Sequence, residues 1–262
     1  MDDMLAFAEA RRAAREAGRQ DELLRLVSAS FEQLSSGAPR FSTEFFGTMF
    51  EWRMLTETFE PAVAAMREAR DVQQRLLLEG DTVFGLASAT ADSFVRPPPS
   101  RFSVIVHFNE ILDDHRATAD LFASMLQMQP VIDRFEAHLA LPSLVAAGEF
   151  ATAQQWLPDT TRHLAKINKL ARDLPLVAPQ GVAPRLAAEL MGYVSDVSLT
   201  LAVWNGLGRT AEARSLRRSA FDDLLGDDLR ELAEREFASP GAISQQVSAW
   251  REAPAGHAIA GC

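Results

Sequence analysis

Apolar residues recur three and four positions apart along almost the whole of this 262-residue chain, and that spacing is one face of a helix. An assembly of helices is therefore the fold the chain is built for, with glycine and proline cutting the pattern into segments. The spacing predicts a first helix through Met4, Leu5, Ala8 and Arg11 to Ala14 that halts near Gly18. A second runs from Asp21 through Leu23, Leu24, Val27, Phe31 and Leu34, and Gly37-Ala38-Pro39 closes the pair. Ser42 or Thr43 is placed to cap a third helix through Phe45, Phe46, Met49, Phe50, Trp52 and Met54. Pro61 suits a first turn and opens a long helix to Gly80. Asp81 then reads as the cap of a helix carrying Val83, Phe84, Leu86 and Phe94, which must stop before Pro97-Pro98-Pro99.

From Phe102 to Phe108 the β-branched Val104, Ile105 and Val106 would suit a strand. Phe102, Ile105, Asn109 and Leu112 nevertheless keep helical spacing and no partner strand is in sight, so a helix is expected. Further helices follow at 115–128, 131–146, 149–157, 159–173, 183–206, 209–225 and 227–237. Pro240-Gly241 precedes a last short helix around Val247 and Trp250, and the small residues from Pro254 to Cys262 make a tail expected to be mobile. The fold class is all-α, with about twelve to fourteen helices joined by short turns.

Composition narrows the function. With 47% apolar and 24% charged residues the chain is globular in make-up, and it is long enough to bury a core without metal or disulfide support. Its one cysteine, Cys262, excludes a disulfide framework. A net charge of −10 argues against nucleic acid or an anionic membrane surface as partner, and no run approaches the ~18 uncharged apolar residues of a membrane span. The start, Met1-Asp2-Asp3-Met4, is acidic where a secretory signal would be basic, so a cytoplasmic protein is expected. Lys166 and Lys169 are the only lysines, and with abundant Ala and Leu this matches the codon bias of a GC-rich bacterial genome. Sixteen Phe against one Tyr, Tyr193, make the aromatic content mostly core filler without a donor.

One pattern recurs. Trp204 stands four residues before Gly208, Ala213 follows five after that glycine, and Ala220-Phe221 close the segment. Gly208 permits the left-handed conformation that ends a helix, and the alanines let two antiparallel helices approach closely. Gly148 with Ala153 repeats the turn, as does Asp114 with Ala119, where aspartate takes the glycine's place. From Asp114 to Gly148 is 34 residues. Gly18 to Leu23 and Glu57 to Ala62 are further candidates at wider spacing. These residues resemble the turn and second helix of a tetratricopeptide repeat, whose period is also 34. The resemblance covers half to two-thirds of the chain and implies an irregular solenoid of helical hairpins: 1–96 the N-terminal hairpins, 100–238 hairpins continuing the stack, 239–262 a short helix and tail. It also implies a concave surface, lined by first helices, that holds a peptide or a partner helix. Trp52-Arg53 and Trp204-Asn205 lie on such first helices and are the candidate partner-binding residues.

Signals for chemistry are weaker. His107, Glu110, Asp113, Asp114 and His115 are close in sequence, but a helix end followed by a new start explains them better than a metal site. The acidic pairs Asp113/Asp114, Asp222/Asp223 and Asp227/Asp228 define the alternative reading, an all-helical enzyme holding a metal. Gly226 points instead to a helix break with Asp227 as the next cap. No nucleophile elbow, dinucleotide fingerprint or phosphate loop occurs, so no cofactor is expected. The basic runs at Arg11-Arg12 with Arg15, and at Arg214, Arg217 and Arg218, sit beside acids as solvated faces do. The sequence thus points to a non-catalytic module that binds a protein or peptide.

Overall fold

The computed structural model describes residues 2–36, 41–85, 99–128, 132–179 and 181–252. Among them the chain is all-helical, with thirteen helices and one isolated antiparallel bridge, Val83 to Ser100. The contacts divide it into two compact units, Met1–Ser143 and Leu144–Cys262.

The first unit holds α1 (Asp2–Glu16), α2 (Gln20–Ser36), α3 (Phe41–Thr56), α4 (Glu60–Leu78), α5 (Arg101–Ile111) and α6 (His115–Met128), and most of α7 (Arg134–Ala146). From α1 to α6 each helix packs on the next in the chain. Their apolar faces meet in a core that includes Leu23, Val27, Phe31, Met49, Trp52, Met66, Phe84 and Phe108. Aromatic rings dominate it. Phe31 lies 5.6 Å from Trp52, 5.1 Å from Phe84 and 5.0 Å from Phe108, at tilted or edge-on angles that suit ring quadrupoles. The Trp52 indole N–H donates to the Ala62 carbonyl at 3.2 Å, so the one polar atom of that side chain is satisfied inside the core.

The segment 102–108 is helical, as its spacing predicts; α5 starts after Ser100, whose hydroxyl accepts from the Ser103 amide. Two expectations are corrected. Asp81 caps no helix. Residues 81–85 run without helical structure because Arg101, buried on α5, donates to the carboxylate and carbonyl of Asp81 and to the Val83 carbonyl, and also to Gln73. That grip pins the segment in the bridge to Ser100, with the Phe84 amide donating to Pro99. α3 begins at Phe41, ahead of the expected caps Ser42 and Thr43. Leu86, Phe94 and Pro97-Pro98 lie outside the described residues, as does the tail from Pro254 to Cys262.

The second unit holds α8 (Phe150–Gln154), α9 (Thr160–Asp173), α10 (Arg185–Gly206), α11 (Thr210–Ser219), α12 (Asp227–Ala238) and α13 (Ala242–Glu252). α10 is its axis, packed against α8, α9, α11, α12 and α13. Among the described residues it is the one helix long and apolar enough to cross a membrane, and here its buried residues, from Leu186 to Val203, form the middle of a core. The Tyr193 hydroxyl donates to the Ala220 carbonyl. That bond, with Arg230 reaching the Phe221 and Asp222 carbonyls, ends α11 at Ser219 instead of 225. Gly226, at φ 98°, is the N-cap of α12, so Asp227 is its first helical residue and not the cap.

The hairpin bends share one geometry. At Gly208 (φ 75°) the amide of Arg209 donates to the Trp204 carbonyl and that of Gly208 to Asn205, a Schellman closure. The same pair of bonds closes α5, yet its left-handed residue is Asp113 at φ 54°, the one non-glycine with positive φ among the described residues. The aspartate that stands in for glycine is thus Asp113, and Asp114 follows it.

Candidate interaction surface

Helix α3 carries apolar residues on two opposite arcs, with Glu44, Thr48 and Glu51 making a polar strip between them. Its inner arc, Met49, Trp52 and Leu55, is buried. Its outer arc carries Phe46, 74% exposed, Phe50, 62%, and Met54, 47%. Those three are spaced four apart, so they form one stripe on one face. With a side chain of each kind covering roughly 150–250 Å², the stripe leaves on the order of 350 Å² of apolar surface in water. A patch of that size on a folded unit marks a contact site more often than scattered single residues do.

Polar neighbours hold the helix still beneath it. Arg11 of α1 donates to the Thr48 hydroxyl at 3.1 Å, and Arg15 meets the Glu51 carboxylate at 2.9 Å. Arg53 lies exposed at the edge of the stripe and makes no ion pair among the described residues.

The structure separates the four residues singled out by sequence. Trp52, 1% exposed, belongs to the core and not to a face a partner could reach, because its indole is enclosed by Phe31 and Phe108 and bonded to Ala62. Arg53 is at the surface. Trp204 is half-buried against the core of its own unit, with the Arg209 guanidinium 5.0 Å above its ring; Asn205 is exposed, and its carbonyl closes the bend at Gly208. Phe46, Phe50 and Met54 carry the surface instead. Their signal in the sequence was a second set of apolar residues, four apart, on the arc opposite Met49 and Trp52.

The acidic pairs serve the backbone and nearby arginines. Asp114 accepts from Arg70 at 2.7 Å and from the Ala117 amide at 3.2 Å, which caps α6, while Arg70 also reaches Asn109. Asp227 pairs with Arg230 at 2.8 Å, and Asp222, Asp223 and Asp228 are exposed. No cluster of three His, Cys, Asp or Glu able to hold a metal exists among the described residues. His115 stands 3.1 Å from the Ser143 hydroxyl and 3.5 Å from Asp113, a serine–histidine–aspartate row. Ser143 is 2% exposed, so no substrate carbonyl can reach its oxygen. Another cluster joins α9 to α10, where both ring nitrogens of His163 face carboxylates and no nucleophile adjoins them.

No protein-family model matches this chain, and the search of curated proteins gives no significant match.

Proposed function

We propose that this chain is a non-catalytic protein-binding module of irregular tetratricopeptide-like hairpins, and that its primary contact is the outer face of α3. The observation that carries the reading is the stripe of Phe46, Phe50 and Met54, held in water by a helix braced from beneath. The neighbour-to-neighbour packing of α1 to α6 and the shared Schellman bends support the hairpin part of the reading.

The area favours one kind of occupant. A stable homodimer buries about 800 Å² per partner, more than twice what the stripe offers, whereas one helix laid along α3 needs no more than such a strip. The fitting partner is an amphipathic helix with apolar residues at i, i+4 and i+7 and a carboxylate opposite Arg53. Aromatic anchors of this kind typically cost 2 kcal/mol or more when truncated. The test is purification of the full chain from its native host, wild type beside Phe46→Ser/Phe50→Ser, followed by reconstitution with the identified partner. Binding should weaken at least tenfold while circular dichroism stays unchanged. Equal affinity of the two proteins would overturn the reading.

A further inference from the structure

We propose that His163 works as a proton-operated clasp that fastens α9 to α10, holding while the imidazole is charged and loosening when it loses its proton. This inference is independent of the reading of α3. It begins with how little else holds α9. Ile167 is its one fully buried residue, and Leu164, Leu170 and Ala171 add only partly buried contacts. The helix therefore depends on polar groups for its seat.

Those groups form a chain. His163 Nδ1 lies 2.7 Å from Asp196 Oδ2, and Nε2 lies 3.4 Å from Glu189 Oε2. Lys166, one turn along α9, donates to both oxygens of Glu189 at 2.7 and 2.8 Å. Glu189 and Asp196 are seven residues apart on α10, two turns, and the imidazole spans the gap between them. A Cβ at Gly192 would make an ordinary 3.5 Å contact with His163 Cε1, so the ring packs directly on this face of α10, and Tyr193 meets it edge-on at 5.6 Å.

A neutral imidazole can donate its one N–H to Asp196; Nε2 is buried without a hydrogen bond, and its 3.4 Å approach to the Glu189 carboxylate is favourable only when the ring is charged. The protonated state is thus the one the cradle fits. Asp196 depends most on it, because Glu189 keeps Lys166 whichever way His163 titrates. The charged groups bearing on the ring are Asp196 and Glu189 of α10, with Lys166 acting through Glu189; α8 carries no titratable residue. Tyr193 stays neutral throughout, its pKa pushed up to about 12 by burial and then by the charge of Asp223. The bond to Asp196, more than any other cause, raises the His163 pKa above its ordinary 6.5; burial opposes, and the two carboxylate charges add to the rise. The clasp's contribution is therefore complete below 6.5 and is lost as pH climbs through the raised value.

Release would travel further than one helix. Asn168, on α9, donates to the Asp223 carbonyl at 2.7 Å and accepts from the Leu225 amide at 2.8 Å. The turn between α11 and α12 is tied to the same helix and should loosen with it.

Hydrogen exchange of the full chain, read from about pH 6 to 9 and corrected for intrinsic chemistry, tests this, with the His163 ring followed by NMR. Protection of residues 160–173 should fall several-fold as the ring titrates while α10 stays protected. His163→Gln should show weak protection of α9 at every pH. Asp196→Asn should move both the ring titration and the loss of protection to lower pH, which keeps the proposal testable if the glutamine variant does not fold. Protection of α9 that ignores the titration of His163, or an Asp196→Asn variant whose profile matches wild type, would overturn it.

Discussion

Gly206, the last residue of α10, lies against the ring of Phe150 at the start of α8. A Cβ built at Gly206 would stand 2.3 Å from Phe150 Cδ2, 2.4 Å from Cε2 and 2.5 Å from Cγ. Carbon atoms pack best at about 3.5–4.0 Å, so Gly206→Ala forces the ring to retreat by about 1 Å or more. Crowding of that kind costs about 1–3 kcal/mol. Against it stands the helix preference for alanine over glycine, roughly 0.5–1 kcal/mol in favour of the variant. The crowding wins, and the variant should be less stable by about 1 kcal/mol. In a Phe150→Ala background the obstacle is gone, so the same substitution should stabilise by the propensity gain alone. The sign should reverse. Urea unfolding followed by circular dichroism, with hydrogen exchange of α10 reporting its unit separately, gives all four corners of this cycle. A Gly206→Ala protein more stable than its parent while Phe150 is present would refute the argument, since the ring would then yield at no cost.

Other substitutions test the rest of the fold. Trp52→Phe removes the indole bond to the Ala62 carbonyl and leaves a small void beside Phe31 and Phe108, so unfolding should show a loss of about 1–3 kcal/mol. Phe50→Ser, on the outer arc of the same helix, should stay within about 0.5 kcal/mol of wild type in the same assay. Asp113→Gly relieves a left-handed aspartate whose side chain is 93% exposed, and thermal unfolding should show a gain of about 0.5–1 kcal/mol. A loss there would mean that the 3.5 Å approach of Asp113 to His115 matters more than its backbone does.

The helices were legible wherever strong periodicity met a proline or glycine at its end, as in α6 before Pro130, α9 before Pro175 and α10 at Gly208. Legibility failed where a distant side chain decides. Nothing between Asp81 and Phe84 announces that Arg101 will seize their carbonyls, and nothing near Ser219 announces the Tyr193 hydroxyl 27 residues back in sequence from Ala220. The surface was half legible. Trp52 and Phe50 both read as apolar residues on one helix, and the choice between core and solvent rests on which arc α1, α2 and α4 cover. Nothing beside His163 in the sequence marks it, since its partner Asp196 lies 33 residues along, on a different helix.

The placing of α10 carries a consequence for how the second unit comes apart. Five helices lean on one shaft, and α12 and α13 also on each other, so the loss of α10 would uncover all of them at once. Proteases and exchange should therefore find α10 the last helix of this half to open, after the outer members that loosen around it. In the first half, where helices abut their chain neighbours in series, unravelling can start at one end and stop part-way.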